Sequence, residues 1–255
     1  MKTVLITGST SGIGLGIAIE FAKAGFNLIL HGLEPEGEKT ARDIAIKYNV
    51  KTSFYNTDLS KPDQIVQMID KIIKEFNSID ILINNAGIQF VSPVEDFPIE
   101  KWNQILQINL TSAFVTSKAV WSKMKENNFG RIINISSAHG LVASEYKIAY
   151  VTSKHALIGM TKVLALEGAS FGITANSICP GYVKTPLVEK QIKDQAKSHG
   201  ISEAEVVNRV MLDKQPIKEF NSIESIGKLA IFLASDDAKT ITGTSLSVDG
   251  GWTAQ

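Results

Sequence analysis

The chain opens Met1-Lys2-Thr3-Val4-Leu5-Ile6-Thr7-Gly8-Ser9-Thr10-Ser11-Gly12-Ile13-Gly14, and this stretch decides the fold. Val4–Thr7 is an apolar run that reads as a first strand, and the residues from Ile13 read as a helix. The glycines between them have separate tasks. Gly8 allows a tight turn out of the strand, Gly12 lets backbone approach a pyrophosphate, and Gly14 permits close packing of helix on strand. The new helix offers unbonded N–H groups at its N-terminus, which suit phosphate. Gly8, Thr10, Ser11, Gly12, Ile13 and Gly14 are therefore expected to hold a dinucleotide, although their spacing differs from the commoner G-x-G-x-x-G.

Working outward, short apolar runs alternate with longer amphipathic ones. Strands are expected at Val4–Thr7, Leu28–His31, Thr52–Asn56, Ile81–Asn84, Arg131–Ser136, Thr174–Ile178 and Ser245–Val248. Helices are expected near 13–24, 36–48, 62–76, 99–126, 148–171 and 223–235, with Pro62 at a helix start. Strict alternation of this kind implies a parallel sheet with helices on both faces. The expectation is an α/β fold: one Rossmann-type, doubly wound sheet of about seven strands forming a single domain over 1–255. Segment 184–222 fits no strand and is expected to be a small helical lid that closes over substrate.

The composition narrows the class. Lys and Arg total 26 and Asp and Glu total 26, so no basic excess is present to neutralise nucleic-acid phosphates or anionic lipid. Hydrophobic residues make up 44%, enough for a packed core and too many for disorder. No apolar run approaches the ~20 residues of a membrane-spanning helix, and the N-terminal apolar stretch is too short for a secretory signal. A cytoplasmic protein is expected. Cys179 is the single cysteine and excludes an internal disulfide, while His31, His155 and His199 are too scattered for a metal triad, so no metal is expected.

A 2′-phosphate on the adenosine ribose requires a nearby cation. The turn carries none. After the second strand His31, Gly32, Leu33 and Glu34 offer only a mostly neutral imidazole and a carboxylate that repels phosphate. The cofactor is expected to be NAD, with the ribose contact assigned to Leu33.

Tyr150 and Lys154 stand four residues apart, so both lie on one helix face. A tyrosine of pKa about 10 needs ~4 kcal/mol of differential interaction to titrate near neutrality. A desolvated ammonium, helped by a cationic nicotinamide ring, supplies interaction of that sign. Ser137 stands at the end of the fifth strand, Asn84-Asn85-Ala86-Gly87 at the end of the fourth, and Asn109 after the apolar run Ile105–Ile108.

These motifs, taken in order, resemble those of the short-chain dehydrogenase/reductases along essentially the whole chain. The resemblance covers the turn at 7–14, Asp58, Asn84–Gly87, Asn109, Ser137, Tyr150-x-x-x-Lys154 and Pro180-Gly181. It implies that Tyr150 is the general acid/base, with Lys154 lowering its pKa and holding the nicotinamide ribose. Ser137 would steady the reacting oxygen. Asn109 would hold a backbone distortion and a proton-relaying water. Asp58 and Leu59 would flank the adenine, Asn85, Ala86 and Gly87 would line the adenosine ribose and phosphate path, and Pro180, Gly181, Val183 and Thr185 would grip the carboxamide.

The polar residues Gln89, His139, Lys147 and Gln191 surround the proposed centre with donors for a small carboxylate. Stretches 85–89, 94–98, 136–142, 214–216 and 248–255 resemble the bacterial-type D-3-hydroxybutyrate dehydrogenases within that family. The subfamily resemblance implies that Gln89, His139, Lys147 and Gln191, beside Ser137 and Tyr150, bind the carboxylate of a hydroxy-acid or keto-acid substrate. The expected reaction is reversible NAD-dependent oxidation of (R)-3-hydroxybutyrate to acetoacetate. The rivals are an NADPH-dependent reductase of 3-oxoacyl thioesters and a non-catalytic dinucleotide-sensing protein. The family resemblance further implies a homotetramer, a dimer of dimers joined through the helices at 99–126 and 148–171, with Trp252–Gln255 near a second interface.

Overall fold

Seven strands, all parallel, form one sheet in the order β3-β2-β1-β4-β5-β6-β7. They are β1 Thr3–Ile6, β2 Asn27–His31, β3 Thr52–Tyr55, β4 Ile81–Asn84, β5 Gly130–Ile135, β6 Ile173–Pro180 and β7 Ser245–Val248. The computed structural model describes residues 1–185, 188–189, 192–193, 196–197 and 200–254. The main helices are α1 Gly12–Lys23, α2 Gly37–Tyr48, α3 Pro62–Phe76, α4 Ile99–Leu106, α5 Ser112–Glu126, α6 Ile148–Gly168 and α7 Ile223–Ala234.

The period of two along each strand sends alternate side chains to opposite faces, and both faces are covered. Val4 and Ile6 pack with Ile17 and Phe21 of α1 and with Ile226 and Leu233 of α7. Leu5, between them in sequence, packs on the other side with Ile65, Ile69 and Ile72 of α3 and Val120 of α5. All four β1 residues are buried, which accounts for the apolar run Val4-Leu5-Ile6. The chain order reverses at β1, which pairs with both β2 and β4. A crevice opens at such a reversal, beyond the carboxyl ends of the strands, and ligands bind there.

Three details depart from the sequence reading. The helix expected over 99–126 is α4, a π-helical stretch Gln107–Thr111, and α5. A π turn carries an extra residue and shifts the faces of the helix beyond it. The fifth strand ends at Ile135, so Ser137 lies past it, in extended backbone, and caps the short 3-10 turn Ala138–Gly140. The sixth strand runs on to Pro180, because Pro180 stays in register with Val248 of β7.

Segment 184–222 leaves and rejoins the sheet edge at one place, where Val183 bridges Asn221. Its described part includes a helical turn Glu203–Glu205, closed by a Ser202–Glu205 capping box, that continues as π-helical Val206–Met211. Ile192, Val206 and Met211 form a small core of their own, separate from the sheet. Gln191 and His199 lie outside the described residues.

Candidate active site

The glycine turn is braced from β4. Asn85 Nδ2 donates to Thr7 O at 2.9 Å and to Gly8 O at 2.8 Å, and Thr7 Oγ1 accepts from the backbone N–H groups of Asn85 and Ala86 at 3.0 Å each. The Asn85 side chain thus supports the turn. Gly8 has φ +61°, and a Cβ there would stand 3.0 Å from Ala86 Cα. A Cβ at Gly14 would run into Gly8 O and Asn85 Nδ2. Gly12 is the contrary case: a Cβ there would meet nothing nearer than Thr185 Cγ2 at 4.0 Å. Ser11 is the N-cap of α1 and makes no side-chain cap bond. The open ground between Gly12 and Thr185, under a helix N-terminus, fits a pyrophosphate.

At the adenosine end the Glu34 carboxylate accepts the Thr10 hydroxyl, and that bond holds its pKa below the usual range. Leu33 is 61% exposed. Asp58 Oδ1 accepts from Ser60 N at 2.8 Å, its pKa lowered by its bonds to Ser60, while Leu59 is buried.

The other end of the crevice is built on α6. Its first turns place Tyr150 and Lys154 together, with Lys154 Nζ 5.6 Å from the Tyr150 ring centroid. Lys154 is 4% exposed, and its ammonium donates to Ile135 O at 2.8 Å. The π stretch supplies Asn109, whose Oδ1 accepts from Ile88 N at 2.8 Å and whose Nδ2 donates to Ile88 O at 2.9 Å and Ser153 Oγ at 3.1 Å. Asn109 therefore locks the chain just beyond Gly87 onto the start of α6. A Cβ at Gly87 would lie 3.4 Å from Asn109 Oδ1 and 3.5 Å from Lys154 Nζ, so these groups converge on one spot. Ser137 Oγ accepts from His139 N at 3.1 Å.

Burial sets the electrostatics. It raises the Tyr150 phenol, an effect partly offset by the bond from Ser137. It lowers Lys154 to about 8 and raises the Cys179 thiol to about 11. Cys179 is thus an inert core thiol beside the site. The phenolate expected from sequence needs further positive charge, of the kind an oxidised nicotinamide would carry.

His139 stands beside Tyr150, with Lys147 close enough to act on its charge. His139 Nε2 lies 2.9 Å from Ser144 Oγ, and its ring centroid is 6.0 Å from that of Tyr150. Burial, with the Lys147 and Lys214 charges, lowers its pKa to about 4, so the imidazole is neutral at physiological pH. Lys147 is the N-cap of α6, lowered by burial and by Lys214. Gln89 is exposed, just past the Asn109–Ile88 clasp. Pro180 and Val183 are buried, Gly181 N donates to Val248 O at 2.9 Å, and Thr185 faces Gly12.

Two residues were missed by the sequence reading. Trp252, assigned there only to an interface, has its ring 5.0 Å from that of His139 and stacked on Tyr182 at 6.3 Å. Lys214 Nζ is 5.9 Å from the Trp252 ring. Both lie in stretches that carry the subfamily resemblance, but nothing local placed either at the site, because turns far along the chain bring them back to the crevice. Among the described residues no three His, Cys, Asp or Glu side chains come together as a metal site, and no helix is long and apolar enough to cross a membrane.

Comparison with known proteins agrees with this geometry. Residues 8–253 match a family model described as enoyl-(acyl carrier protein) reductase. The chain is 53% identical to a D-beta-hydroxybutyrate dehydrogenase of Rhizobium meliloti, over 100% of this chain and 99% of that one. It is 46% identical to a D-beta-hydroxybutyrate dehydrogenase of Cupriavidus necator, over 100% and 98%. The solved structure of L-sorbose reductase from Gluconobacter frateurii, complexed with NADPH and L-sorbose, superposes with a TM-score of 0.94 at 30% identity, covering 100% of this chain and 97% of that one. With its parallel seven-stranded sheet, glycine turn and Ser137–Tyr150–Lys154 cluster, the chain belongs to the short-chain dehydrogenase/reductase family of oxidoreductases.

Proposed function

We propose that this protein is an NAD-dependent dehydrogenase that interconverts (R)-3-hydroxybutyrate and acetoacetate. The observation that carries the reading is the grouping of His139, Lys147 and Trp252 beside Ser137 and Tyr150. A neutral imidazole and an ammonium suit the carboxylate of a small hydroxy acid, and the indole closes one side against longer chains. The likeness to two D-beta-hydroxybutyrate dehydrogenases over the full chain supports the same substrate. Gln89 and Gln191 complete the carboxylate set in this proposal.

In oxidation, Tyr150 takes the hydroxyl proton, Ser137 holds the reacting oxygen, and Lys154 stabilises the phenolate and holds the nicotinamide ribose. Asn109 fixes the Gly87–Ile88 wall and the water that carries the proton away. The bound nicotinamide supplies the hydride acceptor and, when oxidised, a positive charge. Gly8, Thr10, Ser11, Gly12, Ile13 and Gly14 hold the pyrophosphate side, Leu33, Asp58 and Leu59 the adenosine, and Pro180, Gly181, Val183 and Thr185 the carboxamide. The preference for NAD rests on Glu34. Its carboxylate, tied to Thr10 at the end of β2, places negative charge where a 2′-phosphate would have to sit.

The proposal includes a homotetramer working in the cytoplasm, with 184–222 closing over substrate. Its support is the exposed apolar surface of α5 and α6, where Phe114, Val163 and Leu166 face outward. The decisive experiment follows NADH and NADPH oxidation with acetoacetate and with acetoacetyl-CoA. Turnover of acetoacetate with NADH is expected. Turnover of acetoacetyl-CoA with NADPH alone replaces this reading with that of a 3-oxoacyl thioester reductase, and tight NADH binding without turnover of any alcohol replaces it with that of a sensor.

A further inference from the structure

One buried titratable group beside the glycine turn has no part in the chemistry above. His31, the last residue of β2, is 3% exposed. Its Nδ1 accepts from the Gly8 backbone N–H at 3.2 Å, and its Nε2 lies 2.8 Å from the carbonyl oxygen of Thr57, the residue before Asp58. A backbone N–H only donates and a carbonyl only accepts, so the ring is held in one neutral tautomer, with its proton on Nε2. Burial, which lowers the His31 pKa, favours the same neutral form. The backbone joins the same knot: Ser9 N donates to His31 O at 2.8 Å, and His31 N donates to Ser9 Oγ at 3.0 Å.

The ring therefore connects three strand ends at the point where they meet the crevice. Gly8 belongs to the phosphate turn, His31 ends β2, and Thr57-Asp58 lies in the loop after β3. Gly8 sits at positive φ, and its N–H has the imidazole as its partner. We propose that His31 is a positioning residue for the dinucleotide, a neutral strut that sets the distance between the Gly8 phosphate turn and the Thr57-Asp58 loop beside the adenosine. The inference rests on the dinucleotide site of the preceding section and not on the identity of the substrate.

The test compares His31→Leu, which keeps bulk and loses both bonds, with His31→Asn, whose Oδ1 can still accept from Gly8 N–H. NADH and NADPH are titrated by fluorescence, and kcat is read at saturating cofactor. His31→Leu is expected to raise the Kd of the preferred dinucleotide about tenfold, and His31→Asn to recover it to within about threefold of wild type. Both variants keep kcat within about twofold, because neither side chain reaches the Tyr150 end. Equal weakening by Leu and Asn, unchanged affinity in the Leu variant, or a fall in kcat that matches the fall in affinity overturns the strut. If His31→Leu does not fold, His31→Asn decides alone, and a loss of affinity well beyond threefold, or a fall in kcat that matches the fall in affinity, overturns the proposal. A wild-type chain that binds neither dinucleotide removes the underlying site, and the strut with it.

Discussion

The two ends of the crevice are built by opposite means. The cofactor end is made of backbone: glycines in left-handed or crowded positions, a helix N-terminus, and Asn85 tied to Thr7 and Gly8. The catalytic end is made of side chains whose ionisation burial has displaced, with Lys154 brought down to about 8 and Tyr150 raised. The first end costs conformational freedom and little electrostatic energy, because among the described residues it buries no ionised side chain and leaves only backbone N–H groups of α1 for a ligand. The second carries a standing electrostatic cost and is assembled only when α6, β5 and the π stretch come together. Damage to the first should therefore appear as lost affinity, and damage to the second as lost turnover.

The largest expected effect is at Tyr150. Tyr150→Phe should lower kcat by about a thousandfold, the middle of the range for a positioned proton donor, with NADH affinity unchanged by fluorescence titration. Retention of most activity would end the acid/base assignment. Lys154→Met breaks the comparison differently, since it should abolish turnover and also stabilise the cofactor-free protein. Lys154 is depressed from 10.5 to about 8, so its folded-state penalty is absent above the unfolded value, grows as pH falls through that window, and is complete at neutral pH. Relief of a penalty of roughly 3 kcal/mol, less what the bond to Ile135 O returns, should raise Tm at pH 7 and have little effect near pH 11.

On the substrate side, Lys147→Ala should raise the acetoacetate KM about thirtyfold, equivalent to ~2 kcal/mol for a charged hydrogen bond, and leave the NADH KM alone. Equal changes in both constants would dissolve the carboxylate pocket. Smaller again is Glu34→Arg, expected to shift the NADPH-to-NADH preference about tenfold, or ~1.4 kcal/mol, with kcat on acetoacetate preserved. The pH profile sharpens the same contrast. Burial raises Tyr150, and oxidation needs its phenolate, so kcat/KM for hydroxybutyrate should climb toward alkaline pH while ketone reduction falls over the same range. A flat profile in both directions would place proton transfer elsewhere.

Much of this was legible without coordinates, for a local reason. Strand polarity, the glycine turn and the Tyr150–Lys154 spacing are each written within a few residues, and local periodicity specifies them. Element boundaries slipped where a side chain outside the element decides them. The π stretch exists where Asn109 clasps Ile88, 21 residues away, and Ser137 leaves β5 to cap a turn. Trp252 and Lys214 were not legible as site residues, since nothing near either one records that it closes on His139.

The sequence alone thus specified a doubly wound parallel sheet and a dinucleotide turn, and it named the residue types of a candidate active site. The first two follow from short-range sterics and the pattern of apolar side chains, and the third from the resemblance to a known family. Only the tertiary structure decided which ionisation states those residues hold. Desolvation of Lys154, the neutral His139 and the single tautomer of His31 depend on groups that arrive from other strands and helices. Charge stabilisation is set by the surroundings of an atom, and those surroundings exist only once the chain has closed around it.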